Sequence, residues 1–173
     1  MPSSYQAPHV GDHPKQASHS QSVDSNIAQE TATVEKLIAR KGSTVYTISP
    51  KDTISTAVKV LRDRRIGALL VTNTEGGLDG ILSERDIVRK LAETPGQTLP
   101  QTVADNMTRS VETCAPADPL VTVLRRMTEG RFRHMPVISQ GKICGMLTVG
   151  DVVNYRLQEL EYEALQLKQM IVG

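Results

Sequence analysis

Between Val45 and Asp151 the chain is one unit written twice. Ser49-Pro50-Lys51-Asp52-Thr53 returns as Ala115-Pro116-Ala117-Asp118-Pro119, an offset of 66 residues from Asp52 to Asp118. Ile66-Gly67-Ala68-Leu69-Leu70-Val71 falls opposite Phe132-Arg133-His134-Met135-Pro136-Val137 at the same offset. Gly80-Ile81-Leu82-Ser83-Glu84-Arg85-Asp86 then meets Gly145-Met146-Leu147-Thr148-Val149-Gly150-Asp151 at an offset of 65. The lost residue belongs between the apolar runs, where Asn73-Thr74-Glu75-Gly76-Gly77 gives way to a shorter turn around Gln140-Gly141. Deletions are tolerated in such turns. Each copy has about 60 residues, near the size at which a lone core is marginal. The halves are therefore expected to pack together on a pseudo-twofold axis, with the cleft between them as the natural ligand site.

The pattern within each copy predicts β-α-β-β-α, an α+β fold. Val45 to Ile48 reads as a short strand, and Asp52 as the cap of a helix whose inner face carries Ile54, Ala57, Val58 and Leu61. Ala68 to Val71 is a continuous apolar run, followed by the Gly76-Gly77 turn, a strand from Leu78 to Leu82, and a helix from Ser83. The second copy predicts a strand at Val111 to Cys114, a helix from Pro119, and strands at Met135 to Ile138 and Ile143 to Leu147. A short helix is expected at Val103 to Met107. Ahead of the repeats, Val34, Leu37 and Ile38 predict an amphipathic helix ending near Lys41-Gly42. The expected layout is a disordered tail over 1–32, a first repeat with its preceding helix over 33–95, and a second repeat over 96–173. The last helix is long, from Thr148 to about Val172, and Val153, Leu157, Leu160, Ala164, Leu167 and Ile171 form a heptad-like seam along it. That seam either packs on the helix before the first repeat or pairs with a second subunit; the second is favoured, and the two are not exclusive.

Composition excludes several classes of function. Twenty Lys+Arg against nineteen Asp+Glu give a net charge of +1, so no basic footprint points to nucleic acid. An aromatic share of 3% with no Trp also argues against base-stacking platforms. The tail cannot bury enough apolar surface to fold, and its His9, His13 and His19 are too irregularly spaced for a metal site. Cys114 and Cys144 lack metal-ligand spacing and read as buried free thiols. No stretch has the length of a membrane span or a signal segment, so a cytoplasmic protein is expected. No nucleophile–base pair, metal cluster or Gly-rich cofactor loop is visible, and no catalysis is expected.

Two features point to a ligand. Each copy places a hydroxyl three residues before a carboxylate at a strand-to-helix step, Ser83 with Asp86 and Thr148 with Asp151. Such a pair is an ordinary capping box, yet it also sets a hydroxyl and free backbone N–H groups beside a carboxylate at the positive end of a helix. The first two suit a phosphate; the carboxylate suits a ribose diol. Arg131, Arg133 and His134 lie just before the second buried strand, where cations need an anionic partner unless the turn is exposed. Their counterparts are Arg65, Gly67 and Ala68, so the two clefts should differ in phosphate affinity.

These motifs together resemble a cystathionine β-synthase (CBS) domain pair, or Bateman module, from about Thr33 to the C-terminus. The Ser-Glu-Arg-Asp step, the Gly-Arg-Phe-Arg-His-Met-Pro-Val run and the glutamate-rich last helix look most like small stand-alone bacterial CBS-pair proteins. The resemblance implies a regulatory protein that binds an adenine nucleotide, AMP or NAD(H) with ATP and ADP as alternatives. It implies a homodimer that reports to an unidentified protein partner, with neither membrane nor catalytic cofactor involved. It places Asp86 or Asp151 at the ribose, and Ser83, Thr148, Arg133, His134 and Arg85 at the phosphate. Thr47, Ile48, Ile66, Ala68, Thr113, Cys114 and Met135 would line the adenine slots. Gly67 departs from the pattern, since a basic residue often stands there.

Overall fold

A computed structural model describes residues 32–172. The expected disordered tail, with His9, His13 and His19, lies outside the described residues except for Ala32. The first repeat comprises β1 (Thr47–Ile48), α2 (Ile54–Arg64), β2 (Ala68–Thr72), β3 (Leu78–Ser83) and α3 (Glu84–Glu93), preceded by α1 (Val34–Lys41). The second comprises α4 (Val103–Asn106), α5 (Leu120–Gly130), β4 (His134–Ser139), β5 (Lys142–Thr148) and α6 (Val149–Val172). The fold is α+β, as expected.

The Pro-x-Asp turns act differently from the expected cap. The Asp52 carboxylate accepts from the Ser49 N–H at 3.1 Å, and Asp118 from the Ala115 N–H at 3.0 Å. Each aspartate thus closes the turn before its helix. The cap itself is the next residue: Thr53 accepts from the Thr56 N–H, while Pro119 holds that place with φ −65° and no side-chain bond.

In the first sheet β1 pairs parallel with β2, and β2 pairs antiparallel with β3. The second sheet has only β4 and β5, and the strand expected at Val111 to Cys114 is reduced to one parallel bridge from Cys114 to Val137. Proline explains the loss. In the first repeat the Leu70 N–H donates to the Tyr46 carbonyl at 3.1 Å. Its equivalent is Pro136, which has no N–H, so the matching ladder bond cannot form. The repeats also differ at their turns, as the one-residue slip requires. Asn73 Oδ1 accepts from the N–H groups of Glu75 and Gly77 in the longer loop, whereas Gln140 and Gly141 both take positive φ in the tighter one.

The two cores exchange their leading segments. Val34 and Leu37 of α1 are buried with Val123, Met127, Met135, Val137 and Leu147 of the second repeat. Val103 of α4 is buried with Ile54, Leu69, Val71 and Leu82 of the first. The hydrogen bonds mirror one another: Val103 N–H to Asp52 O at 2.8 Å matches Val34 N–H to Asp118 O at 3.0 Å, and bridges join Thr53 to Thr102 and Thr33 to Pro119. Burying Val34, Leu37 and Val103 contributes roughly 1.5–3 kcal/mol each, appreciable for cores this small.

Cys114 is buried and Cys144 half-buried, both free thiols. Burial, helped by Asp118, pushes the Cys114 thiol up to about 12, so it stays protonated and inert. Among the described residues no cluster could hold a metal, and no helix is long and apolar enough to cross a membrane.

Candidate functional site

Both hydroxyl–carboxylate pairs are reciprocal capping boxes. The Ser83 hydroxyl accepts from the Asp86 N–H at 3.3 Å, while Asp86 Oδ2 accepts from the Ser83 N–H at 3.0 Å and the Ser83 hydroxyl at 2.6 Å. Thr148 accepts from the Asp151 N–H at 3.0 Å, and Asp151 Oδ2 accepts from the Thr148 N–H at 2.9 Å. The sheets set them in equivalent places, with Ala68 opposite Ser83 and His134 opposite Thr148.

Ser83 and Asp86 open onto a cavity of about 550 Å³. One wall comes from the start of α3, with Arg85 and Arg89; the opposite wall is the loop Arg131-Phe132-Arg133 and His134. Arg85 Nη1 donates to the Arg131 carbonyl at 3.1 Å and so ties the walls together. Four arginines against Glu84, Asp86 and Glu112 leave the cavity short of anions. Arg131 also holds a left-handed backbone, φ 56°, as the C-cap of α5. A non-glycine residue there costs on the order of 1 kcal/mol, and Arg65 ends α2 in the same way.

His134 is half-buried against the first repeat. A Cβ built on Gly67 would lie 3.2 Å from both its Cε1 and Nε2, so the glycine makes room for this imidazole. Burial, with Arg133 and Lys41 acting in the same sense, holds His134 below the usual imidazole range against the pull of Glu84 and Asp151.

The second cap is built alike but surrounded differently. The Lys41 ammonium, at the end of α1, bonds Asp151 Oδ2 and also donates to the Met146 carbonyl at 2.8 Å. Burial alone would raise the Asp151 carboxyl, but Lys41 and the Thr148 N–H outweigh it and leave the group below the usual range. At the positions equivalent to Arg85, Arg89, Arg133 and His134 stand Gly150, Asn154, Gly67 and Ala68.

Five of the residues singled out for ribose and phosphate therefore share one cavity: Ser83, Arg85, Asp86, Arg133 and His134. Thr148 and Asp151 lie outside it, as do the seven adenine candidates. Ala68 and Met135 are fully buried, Ile48 and Cys114 nearly so, and Ile66 packs on the first core. Thr47 is exposed, and the Thr113 carbonyl accepts from Arg126 at 2.8 Å. The residues missed are Arg89 and Lys41. Arg89 stands one helical turn beyond Arg85, a spacing that was available to read. Lys41 meets a partner 110 residues away, with no local signal.

The family model of the CBS domain matches residues 32–93 and 102–158, once per repeat. The chain belongs to the CBS domain family, as a tandem pair. The mitochondrial CBS domain-containing protein CBSX3 of Arabidopsis thaliana is 30% identical over 152 residues, which are 83% of this chain and 74% of that protein. Other relatives are longer, and the chain spans 27% of one of them. A solved CBS-domain protein from Agrobacterium tumefaciens, ATU1752, is 38% identical with a TM-score of 0.71, covering 72% of this chain and 99% of that one. The structure of CBSX2 in complex with AMP shares the fold at 24% identity and a TM-score of 0.62, over 73% of this chain and 97% of its own.

Proposed function

We propose that the protein is a non-catalytic regulatory module that binds an adenine nucleotide in the cavity between its repeats and reports the bound state to a protein partner. The observation that carries this reading is the Ser83–Asp86 cap facing Arg131, Arg133 and His134 across one cavity, with Arg85 and Arg89 beside it. In this reading Asp86 accepts from the ribose hydroxyls, and the arginines and Ser83 hold the phosphates. A solved relative by fold carries AMP, which supports an adenine nucleotide. Several arginines favour a ligand with more than one phosphate, such as ADP, ATP or NAD(H), over AMP alone.

Isothermal titration with AMP, ADP, ATP, NAD and NADH tests the reading directly. Asp86→Ala should weaken binding roughly tenfold to hundredfold, the loss of charge-assisted hydrogen bonds worth about 1.5–3 kcal/mol. The variant should still fold, since a lost cap costs only about 1 kcal/mol. Arg133→Ala should reduce affinity for ADP far more than for adenosine. No binding of any of the five nucleotides at millimolar concentration sinks the proposal.

A further inference from the structure

Lys41 has no part in the cavity, yet it is held firmly. Its helix is anchored by the buried Val34 and Leu37 and by the Val34 N–H bond to the Asp118 carbonyl. Arg40, the residue before it, lies 4.5 Å over the Tyr155 ring and bonds Gln158 at 3.1 Å. The ammonium that follows is thereby delivered to the Asp151 carboxylate and the Met146 carbonyl. Asp151 is the equivalent of Asp86, whose bonds among the described residues come from Ser83 alone.

We infer that Lys41 is a built-in occupant of the second cleft, standing where a ribose diol would meet Asp151. The inference rests on the nucleotide reading proposed above. The ammonium adds to its hydrogen bond a charge–charge attraction that a neutral diol lacks, so a diol does not displace it unaided. Phosphates find less help there, because Gly150, Asn154, Gly67 and Ala68 stand at the positions of Arg85, Arg89, Arg133 and His134, and only Arg65, the counterpart of Arg131, keeps its charge. The chain therefore takes a single nucleotide, at Asp86, and a second enters only when α1 lets go of Asp151. Asp151 also lies in the first turn of α6, so the same contact joins the end of α1 to the base of α6.

Calorimetric stoichiometry with ADP tests this, using the full chain and its Lys41→Met and Lys41→Arg variants. Methionine keeps the apolar stem and removes the charge, and arginine restores the charge. Thermal melting confirms that each variant is folded. The wild type is expected to bind a single ADP per chain, weakened roughly tenfold to hundredfold in Asp86→Ala. Lys41→Met gains a second, weaker ADP that Asp151→Ala abolishes, and Lys41→Arg returns to a single one. A folded Lys41→Met protein that still binds a single ADP overturns the inference, as does a wild type that binds two. Absence of binding of ADP and of the other four nucleotides by the wild type removes the nucleotide reading, and the plug with it.

Discussion

At position 67 the first repeat has glycine where the second has Arg133, and the imidazole of His134 comes within van der Waals reach of the space this leaves. The groups around that ring come from several elements: Glu84 from α3, Asp151 from α6, Lys41 from α1 and Arg133 beside it. Burial dominates, so the ring is neutral at pH 7 in the empty protein. The unfolded chain protonates as pH falls through about 6.5, while the folded one does so only at a lower pH. Between those values the unfolded state binds more protons, so stability falls as pH drops through this window and levels off below it. A bound phosphate reverses the local balance by giving the imidazolium an anionic partner. Binding should therefore take up a proton and tighten as pH falls. Titration of ADP in buffers of different ionisation enthalpy reads that uptake, which His134→Asn should abolish. An uptake unchanged in that variant would assign the proton to another group. The capping pairs beside this ring were legible in the sequence because both partners sit within one helical turn. Lys41 was not, since its role exists only once α1 crosses to the other repeat.

At the scale of elements, the apolar runs and turns were readable because period and punctuation are local. The strand at Val111 to Cys114 was not, because its shortening depends on Pro136 in a partner strand. Helix α6 divides into two parts. Val152 and Tyr155 are buried against the second core and α1, which accounts for the start of the helix. The seam lies on a different face: Leu157, Leu160 and Leu167 are 52%, 44% and 56% exposed, and Ile171 is 84% exposed. Helix α1 covers Tyr155 and leaves that seam open. The 24 residues of α6 extend about 36 Å at 1.5 Å per residue, and the seam that runs along it from Val153 to Ile171 is a long apolar edge for one chain to leave in water. Arg156, bonded to Glu159 at 3.2 Å, and Glu163 beside it keep the flanks charged. A homodimer with α6 in its interface is expected. Light scattering on the full chain and on a chain ending near Tyr155 checks it: the first should have twice its sequence mass and the second should lose affinity for itself. A full-length monomer at micromolar concentration would contradict the expectation.

For the molecule as a whole, the duplication announced two similar halves but not their exchange of leading segments. Hydrophobic periodicity reveals that a helix has a buried face, never which core receives it. Here the neighbouring repeat in sequence is not the neighbour in space: α1 completes the second core and α4 the first. The halves are thus a lock and its key twice over. Cutting the chain at the exposed Pro95-Gly96 turn would give two fragments, each carrying the piece the other lacks. Neither should fold alone, and mixed at equal concentration they should snap into a native-like complex, recovering the circular dichroism of the intact chain. A fragment that melts cooperatively by itself would disprove this mutual dependence. The same logic gives the chain a hazard and an opportunity: with the turn at Gly96 made too short to fold back, a helix from one molecule docks on the core of the next, and the fold becomes a link in a chain of molecules.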